Sequence, residues 1–468
     1  GRRLGAAKVT LADASEGRRF RVWAPNALNA ELVFGHVWHQ DDQQKRPGGG
    51  DNPLPTDKLA GGYIFENGEG LHPAPEYAPV AMQRMEEGLW EVPAEHPALE
   101  RMSLHQQLYL HQQPYMFRIT RDDHSVVYRT DIYARRQAGQ GTKDPSMLAG
   151  DLNHAWSGRL SDLAGRVSCS VVGDPERVIK DTGHPVWPAP LEEFLSHDDF
   201  WADEFNGQSL PARVEDLIIY ELHIGALGFG KEQPGDIGDA LALLDHISGL
   251  NVNAIELLPL SEFAGDASHW GYATSHYFAI EHLGGNCDEL KHFVKACHQR
   301  GIAVIMDVVY NHYDHHAERA QRYYDSPLPE HDIYYWYQGK AEDYAYLQET
   351  WGEHAKRGGY LENLSTGDAP AYKEPMVRNM LISSAVALLE IYHIDGFRVD
   401  QTTSIHQYNR LRATGEPLPE ANIFGAKFLR ELGNTLRLLK PDVLMIAEDH
   451  SEWGEVVKPV AEGGMGFD

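Results

Sequence analysis

From about residue 213 onward, short apolar runs alternate with longer segments of helical periodicity, and no other feature constrains the fold of this 468-residue chain as strongly. The apolar runs lie at 217–223, 252–259, 302–309, 394–400 and 443–448. Buried strands separated by helices are typical of a parallel sheet whose faces are covered by helices. The pattern predicts a (β/α)8 barrel that is incomplete in this chain, because such a barrel needs eight strands and about five are countable.

The N-terminal part has a different sequence pattern, in which apolar and polar residues alternate along short runs. These runs lie at 18–35, 89–93 and 115–120. A period of two indicates antiparallel strands, so we predict a β-sandwich over 1–135, a connector over 136–212 and the barrel over 213–468. Residues 313–374 are rich in Tyr and His and show no periodicity. A loop of this length inside a compact domain indicates a functional insertion.

Charge and hydropathy exclude several classes of partner. The formal net charge is −28, which disfavours binding to nucleic acid or to an anionic membrane surface, whereas neutral polymers remain suitable partners. No apolar run reaches the roughly 18 residues that a membrane span requires. The N-terminus carries no secretory signal, but the chain does not begin with Met. We therefore expect the cytoplasm or, after removal of a targeting peptide, the lumen of a plastid or another organelle.

Charged side chains stand at the ends of the predicted strands. Asp400 ends the fourth run and Glu448 ends the fifth, and a barrel gathers the carboxyl ends of its strands at one face. Arg398 shares a strand face with Asp400 and favours its ionised form, as a nucleophile requires. Glu448 follows an apolar run, so we expect a raised pKa and the role of a general acid. Two carboxyl groups and an arginine are the groups that cleavage of a glycosidic bond needs.

The second and third predicted strands contribute further candidates. Asp307, Asn311 and His312 lie on or just after the third strand, where His312 is placed to donate to a sugar hydroxyl and Asp307 to orient the site from beneath. Trp270 and Tyr272 follow the second strand, and aromatic faces stack on the apolar faces of sugars. Tyr272 is the candidate platform. No loop has regularly spaced oxygen ligands for calcium, so we predict neither a metal nor a cofactor.

Each of these signals has an ordinary structural explanation when it stands alone. Arg398 and Asp400 could form a structural ion pair, Glu448 could cap a following helix while Asp449 acts as the acid, and His312 could be a satisfied core histidine. Their joint occurrence at three strand ends favours a functional site. The string Leu195-Ser-His-Asp-Asp199 looks like a catalytic triad, but triads are spatial, so we predict a surface turn or helix cap.

Three strings carry a family resemblance: Asp307-Val-Val-Tyr-Asn-His312, Gly396-Phe-Arg-Val-Asp400 and Ala447-Glu-Asp449. They resemble signature regions of the alpha-amylase superfamily. Within it, the opening Phe20-Arg-Val-Trp-Ala-Pro-Asn26 and the tail 447–468 are similar to the group of 1,4-alpha-glucan branching enzymes. In that group the N-terminal β-sandwich is a carbohydrate-binding-like domain. The superfamily likeness covers most of the chain and is weak in 36–87 and 136–212.

The resemblance implies a glycosyltransferase that cleaves alpha-1,4-glucan and re-attaches the segment through an alpha-1,6 bond, with retention and a covalent glycosyl-enzyme. It implies that Asp400 is the nucleophile and Glu448 the general acid/base. The residues that it places around the substrate are Arg398, His312, Asp307, Tyr272, Asn311 and Trp270. The implied partner is an alpha-glucan polysaccharide or maltooligosaccharide.

The chain departs from the family pattern in two respects. A His-Asp pair after a later strand is missing, so a partner or a further C-terminal segment would be needed to complete the barrel. The stretch 401–406 is also not the small, apolar continuation expected after the nucleophile. Two alternatives stay open: an alpha-glucan hydrolase, such as a debranching enzyme or a maltooligosyl-trehalose hydrolase, and a glycan-binding or structural subunit.

Overall fold

A computed structural model describes most of the predicted domains. The described residues are 4–34, 79–99, 114–138, 169–183, 191–211, 213–263, 270–281, 284–313, 323–337, 361, 367–407 and 418–468. The predicted insertion 313–374 lies largely outside them. Among the helices in these ranges, none is long and apolar enough to cross a membrane.

The N-terminal part, as far as it is described, forms two antiparallel sheets. Its strands are β1 (Gly5–Thr10), β2 (Glu16–Trp23), β3 (Asn29–Phe34), β4 (Val80–Ala81), β5 (Gln83–Arg84), β6 (Leu89–Val92), β7 (Pro114–Thr120), β8 (Val126–Arg129), β9 (Arg136–Ala138) and β10 (Cys169–Val171). One sheet has the order β1-β2-β6-β5, and the other β4-β3-β7-β10-β9 with β8 beside β7. The Phe20 ring on the first sheet lies 5.4 Å from Phe34 and 5.2 Å from Tyr115 on the second, so the sheets face each other across aromatic side chains.

The boundary predicted at residue 135 falls inside the second sheet. β9 and β10 pair with each other, and β10 pairs with β7. Each of these two strands has three residues, which is too short to display an apolar-polar alternation. The stretch assigned to a connector therefore supplies two strands to the N-terminal sheets.

The rest of the described connector holds a small hairpin and a short helix. These elements are β11 (Arg177–Ile179), β12 (Phe194–Ser196) and α1 (His197–Trp201). The Ser196 hydroxyl accepts a hydrogen bond from the Asp199 amide at 3.1 Å and so caps the start of α1. The prediction that Leu195–Asp199 is a helix cap rather than a catalytic triad is confirmed.

The second half folds as a parallel sheet with helices between its strands. Its elements are β13 (Ile219–Leu222), α2 (Ile237–Gly249), β14 (Ala254–Leu257), the hairpin β15 (Ser261–Phe263) and β16 (Thr274–Ile280), α3 (Cys287–His298), β17 (Ala303–Val308), α4 (Pro375–Tyr392), β18 (Gly396–Val399), α5 (Thr402–His406), α6 (Pro419–Leu439) and β19 (Leu444–Ala447). Within the described residues the parallel order is β13-β14-β17-β18-β19. All five predicted strands are confirmed. Helix α6 begins at Pro419, since a proline without an amide hydrogen suits the first helical turn.

The register of the parallel strands brings the candidate residues together. Val399 pairs with Val308 on one side and with Ala447 on the other. Asp400 and Glu448 are the first residues after their strands, and therefore stand side by side at the carboxyl edge of the sheet. Asp307 pairs with Arg398, which lies two residues before Asp400 and on the same face.

Candidate active site

Arg398 is the centre of the charged cluster at this edge. Its Nη1 donates to both oxygens of Asp307, at 3.0 and 2.8 Å, and to Oδ1 of Asp400 at 2.8 Å. Its Nη2 lies 3.1 Å from Oε2 of Glu448. One guanidinium thus contacts three carboxyl groups, each contributed by a different strand or strand end.

Asp400 lies deep in the cluster and is held by two residues. The Asn311 amide donates to Asp400 Oδ2 at 2.5 Å and to the Asp400 carbonyl at 3.1 Å, while Arg398 binds Oδ1. Burial raises the pKa of Asp400 to about 6, since the opposing effect of Arg398 is weaker and Glu448 pushes the pKa up further. Arg398 favours the ionised form of Asp400 as predicted, but burial outweighs this effect, and the depth of burial cannot be seen in the sequence.

Glu448 is the more accessible carboxyl, with 28% of its side chain exposed against 10% for Asp400. The Gln401 amide donates to Glu448 Oε2 at 2.9 Å. Burial alone would raise the pKa of Glu448, but the Gln401 amide and Arg398 outweigh it and hold the pKa below its ordinary value. The predicted raised pKa was therefore wrong. The two carboxyls influence each other: Glu448 raises the pKa of Asp400, and Asp400 lowers that of Glu448.

Asp307 forms the floor of the cluster, beneath Arg398. The Tyr272 hydroxyl donates to Asp307 Oδ2 at 2.7 Å. Burial raises the pKa of Asp307 to about 7, although Arg398 and Tyr272 both favour its ionised form. Tyr272 therefore lies at the site as predicted, with its hydroxyl anchored to the floor.

The other predicted substrate-binding residues occupy different places. His312 is buried, with Nδ1 at 2.6 Å from Asn311 Oδ1 and Nε2 at 2.9 Å from the Tyr272 carbonyl. Its ring therefore connects the Asn311 amide to the backbone of Tyr272 instead of facing open space for a sugar hydroxyl. Trp270 stands at the rim, 66% exposed, with its ring 6.0 Å from that of His223.

Asp449, the competing candidate for the acid, points into a different set of contacts. Its Oδ2 lies 2.8 Å from Thr402 Oγ1 and 2.6 Å from His406 Nε2, and its Oδ1 accepts from the Ser451 amide at 2.9 Å. Burial raises its pKa, but Ser451 and His406 outweigh that effect and the net pKa is lowered. Asp449 is thus an ionised structural acceptor, and Glu448 is the acid that reaches Arg398.

Two residues of the cluster were missed by sequence reasoning. Glu256, inside β14, is a further acid near Arg398, and burial raises its pKa. Its signal was an acidic residue within an apolar strand. Gln401 contributes its backbone amide from a left-handed conformation with φ of 41°, which is rare for a residue other than glycine. Nothing in the sequence marks that turn. In the part of the chain that is described, no three His, Cys, Asp or Glu side chains are grouped to hold a metal.

The parallel sheet and the carboxyl-arginine cluster at its strand ends have the arrangement of a β/α-barrel protein, in which functional groups come from the carboxyl ends of several strands. The sequence profile of the alpha-amylase catalytic domain matches residues 202–463, which is more than half of the chain. This chain belongs to the alpha-amylase family.

Curated relatives agree with this assignment. The chain is 35% identical to the 1,4-alpha-glucan branching enzyme GlgB of Nitrosococcus oceani over 258 residues, which are 54% of this chain and 31% of that enzyme. It is 32% identical to the enzyme of the same name from Oleidesulfovibrio alaskensis over 286 residues, 59% of this chain and 41% of the relative. The chain therefore spans less than half the length of these relatives.

The solved structures establish the fold alone, because their sequence identity is low. A pullulanase from Paenibacillus barengoltzii, in complex with maltohexaose and alpha-cyclodextrin, matches with a TM-score of 0.56 at 20% identity and covers 96% of this chain and 53% of its own. A pullulanase from Anoxybacillus sp. LM18-11 matches with a TM-score of 0.56 at 19% identity and covers 96% of this chain and 48% of its own. The predicted TIM-barrel-type fold is confirmed.

Proposed function

We propose that this protein is a retaining transglycosylase that cleaves alpha-1,4-glucan and re-attaches the released segment through an alpha-1,6 bond. The observation that carries the proposal is the contact of one guanidinium with Asp307, Asp400 and Glu448 at the strand ends. The identity to branching enzymes over the same region supports the choice of reaction. The substrate would be an alpha-glucan polysaccharide or a maltooligosaccharide.

The two neighbouring carboxyls take different roles because their surroundings differ. Asp400 is the nucleophile, since Arg398 and Asn311 each hold one of its oxygens in place. Glu448 is the acid/base, since it is the carboxyl nearer to solvent. In the first step Glu448 protonates the glycosidic oxygen as the bond to C1 breaks, and an Asp400 oxygen bonds to C1. In the second step an acceptor 6-hydroxyl gives its proton to Glu448 and attacks C1, which frees Asp400.

Binding of the glucan would reverse the order of ionisation found in the free site. A sugar placed between the carboxyls separates Asp400 from Glu448 and so removes one cause of the raised pKa of Asp400. The same sugar displaces water from Glu448, and this desolvation disfavours its ionised form more than that of Asp400, which is already buried. The proton therefore moves to Glu448, where the leaving oxygen requires it.

The remaining residues and domains have supporting roles in this proposal. Tyr272 stacks on the donor sugar while its hydroxyl is fixed by Asp307, and Trp270 contacts the glucan at the rim. Asn311 and His312 hold Asp400 and Tyr272 in place. The two N-terminal sheets form the carbohydrate-binding-like sandwich.

The test is incubation of the natural polypeptide that contains this sequence with amylose. Branching shifts the iodine absorption, creates chains that a debranching enzyme releases, and leaves the number of reducing ends constant. Asp400→Asn and Glu448→Gln should abolish all three signs of transfer, and Asp442→Asn on an exposed turn should not. A rise in reducing ends without new branches would contradict the proposal and indicate a hydrolase. Binding to amylose without any bond rearrangement would indicate a glycan-binding subunit.

A further inference from the structure

Helix α5, which directly follows Asp400, is tied to the end of strand β19. The Thr402 amide donates to the Glu448 carbonyl at 2.8 Å, and the Thr402 hydroxyl lies 2.8 Å from both that carbonyl and Asp449 Oδ2. His406 reaches the same Asp449 oxygen at 2.6 Å. Thr402 and His406 are four residues apart and therefore share one face of the helix. Through this face, helix α5 binds the Glu448 carbonyl and the Asp449 side chain.

Among the described residues, His406 is bound through one ring nitrogen only. The side chain is 1% exposed, and its ring centre lies 5.3 Å from that of Trp453. Its Nδ1 has no hydrogen-bond partner among the residues that the structure describes. Because Asp449 Oδ2 is an acceptor, Nε2 carries the hydrogen and donates it. The contact between His406 and Asp449 is thus a directed bond in a buried place, where its loss has no water to compensate for it.

Helix α5 has little room to move away from this position. On its other side it packs closely against α6. The two helices approach so closely at Gly425 that a Cβ there would come within 1.8 Å of the Ile405 carbonyl oxygen. At its start, Gln401 takes the left-handed conformation that points its amide at Glu448 Oε2. The contacts of α5 with Asp449 and the contact of Gln401 with Glu448 therefore belong to one rigid unit.

We propose that His406 is a positioning residue for Glu448. By holding Asp449 against α5, it fixes the end of β19 so that the Glu448 carboxylate faces the Gln401 amide and Arg398. Thr402 and His406 lie in the stretch where the chain departs from the expected small, apolar continuation. The inference deepens the proposed function, because it assigns to this stretch the orientation of the acid/base.

Loss of the His406 donor has a defined electrostatic consequence at Glu448. The Gln401 amide is the strongest of the groups that lower the pKa of Glu448. When the end of β19 is released from α5, the carboxylate leaves that amide and its pKa rises, by about one pH unit for one hydrogen bond to an ionised carboxyl. A merely structural histidine would change stability and leave the ionisation of Glu448 as it is.

The experiment is a pH titration of the full chain carrying 13C at the glutamate carboxyls, with the Glu448 signal identified by its loss in Glu448→Gln. His406→Leu should shift the Glu448 titration upward by about one pH unit. His406→Gln, whose amide reaches the position of Nε2, should restore it. Ser404→Ala, which removes a hydroxyl that donates to the Gln401 side chain on the same helix, should leave it unchanged. Thr402→Val, which keeps the shape of the side chain, provides a second upward shift should His406→Leu fail to fold.

An unchanged Glu448 titration in His406→Leu or in Thr402→Val overturns the proposal, whatever happens to the melting temperature. The titration needs no turnover, so it decides the role of His406 even where the wild type fails to transfer glucan and the proposed function falls. Where the wild type is active, His406→Leu should lower kcat about tenfold and leave KM within about twofold, because the substrate contacts remain.

Discussion

Replacement of Asp400 by Asn should make the protein inactive and, at neutral pH, more stable. The folded state raises the pKa of Asp400 from 3.8 to about 6, so an ionised Asp400 costs folding free energy. The difference corresponds to about 3 kcal/mol. Since the folded pKa is the higher one, the stability that the protonated carboxyl contributes is fully present below about pH 4 and is lost as the pH rises through about 6. The amide resembles the protonated carboxyl and does not ionise.

The assay is chemical denaturation of wild type and Asp400→Asn from pH 4 to pH 8. We expect nearly equal free energies of unfolding at pH 4 and an advantage for the variant that grows to about 3 kcal/mol at pH 8. Asp442→Asn, at an exposed turn, is the matched control and should stay within about 0.5 kcal/mol of the wild type throughout. A difference between Asp400→Asn and wild type that does not change with pH would refute the argument from burial. Retained transfer activity would refute the role of Asp400 as nucleophile.

Three further predictions address the pH dependence, the support of the nucleophile and a helix cap. The kcat/KM for a maltooligosaccharide should fall above about pH 6, because the free site then loses the proton that Glu448 must give to the leaving oxygen; a profile that stays flat up to about pH 8 would contradict this. Asn311→Ala removes the amide bound to Asp400 and should lower kcat about 10- to 100-fold in a steady-state assay with little change in KM. Ser196→Ala removes the cap of α1 and should cost about 1 kcal/mol in a denaturation measurement, while the transfer rate stays that of the wild type.

The parallel strands could be predicted because each is a buried apolar run bounded by a polar residue or a turn. The short strands β9 and β10 could not, since β9 is defined by its pairing with β10 and β10 by its pairing with β7, and both partners lie far away in sequence. Local pattern thus predicts elements long enough to show a period, and pairing determines the rest.

The sequence was enough to predict which residues form the candidate site, but not the order of their pKa values. Asp307, Arg398, Asp400 and Glu448 follow from their place at strand ends, since parallel strands in register must bring those ends together. The order of their pKa values depends on burial and on the backbone amide of Gln401, and neither can be inferred from the residue types. His312 illustrates the same limit, because its ring binds an amide and a carbonyl whose positions only the fold determines.

The cluster contains too few cations for its acids, and this imbalance suits the chemistry. One guanidinium faces Asp307, Asp400 and Glu448, with Glu256 nearby, so full ionisation would leave several uncompensated negative charges in a partly buried place. The raised pKa values of Asp307 and Asp400 show that the site keeps protons near neutral pH instead. Retaining transfer needs one protonated and one ionised carboxyl at the same moment. The surplus of acids around one arginine keeps that proton in the site. Because Glu448 is the more exposed carboxyl, a bound sugar desolvates it more than Asp400, and the proton then moves to Glu448.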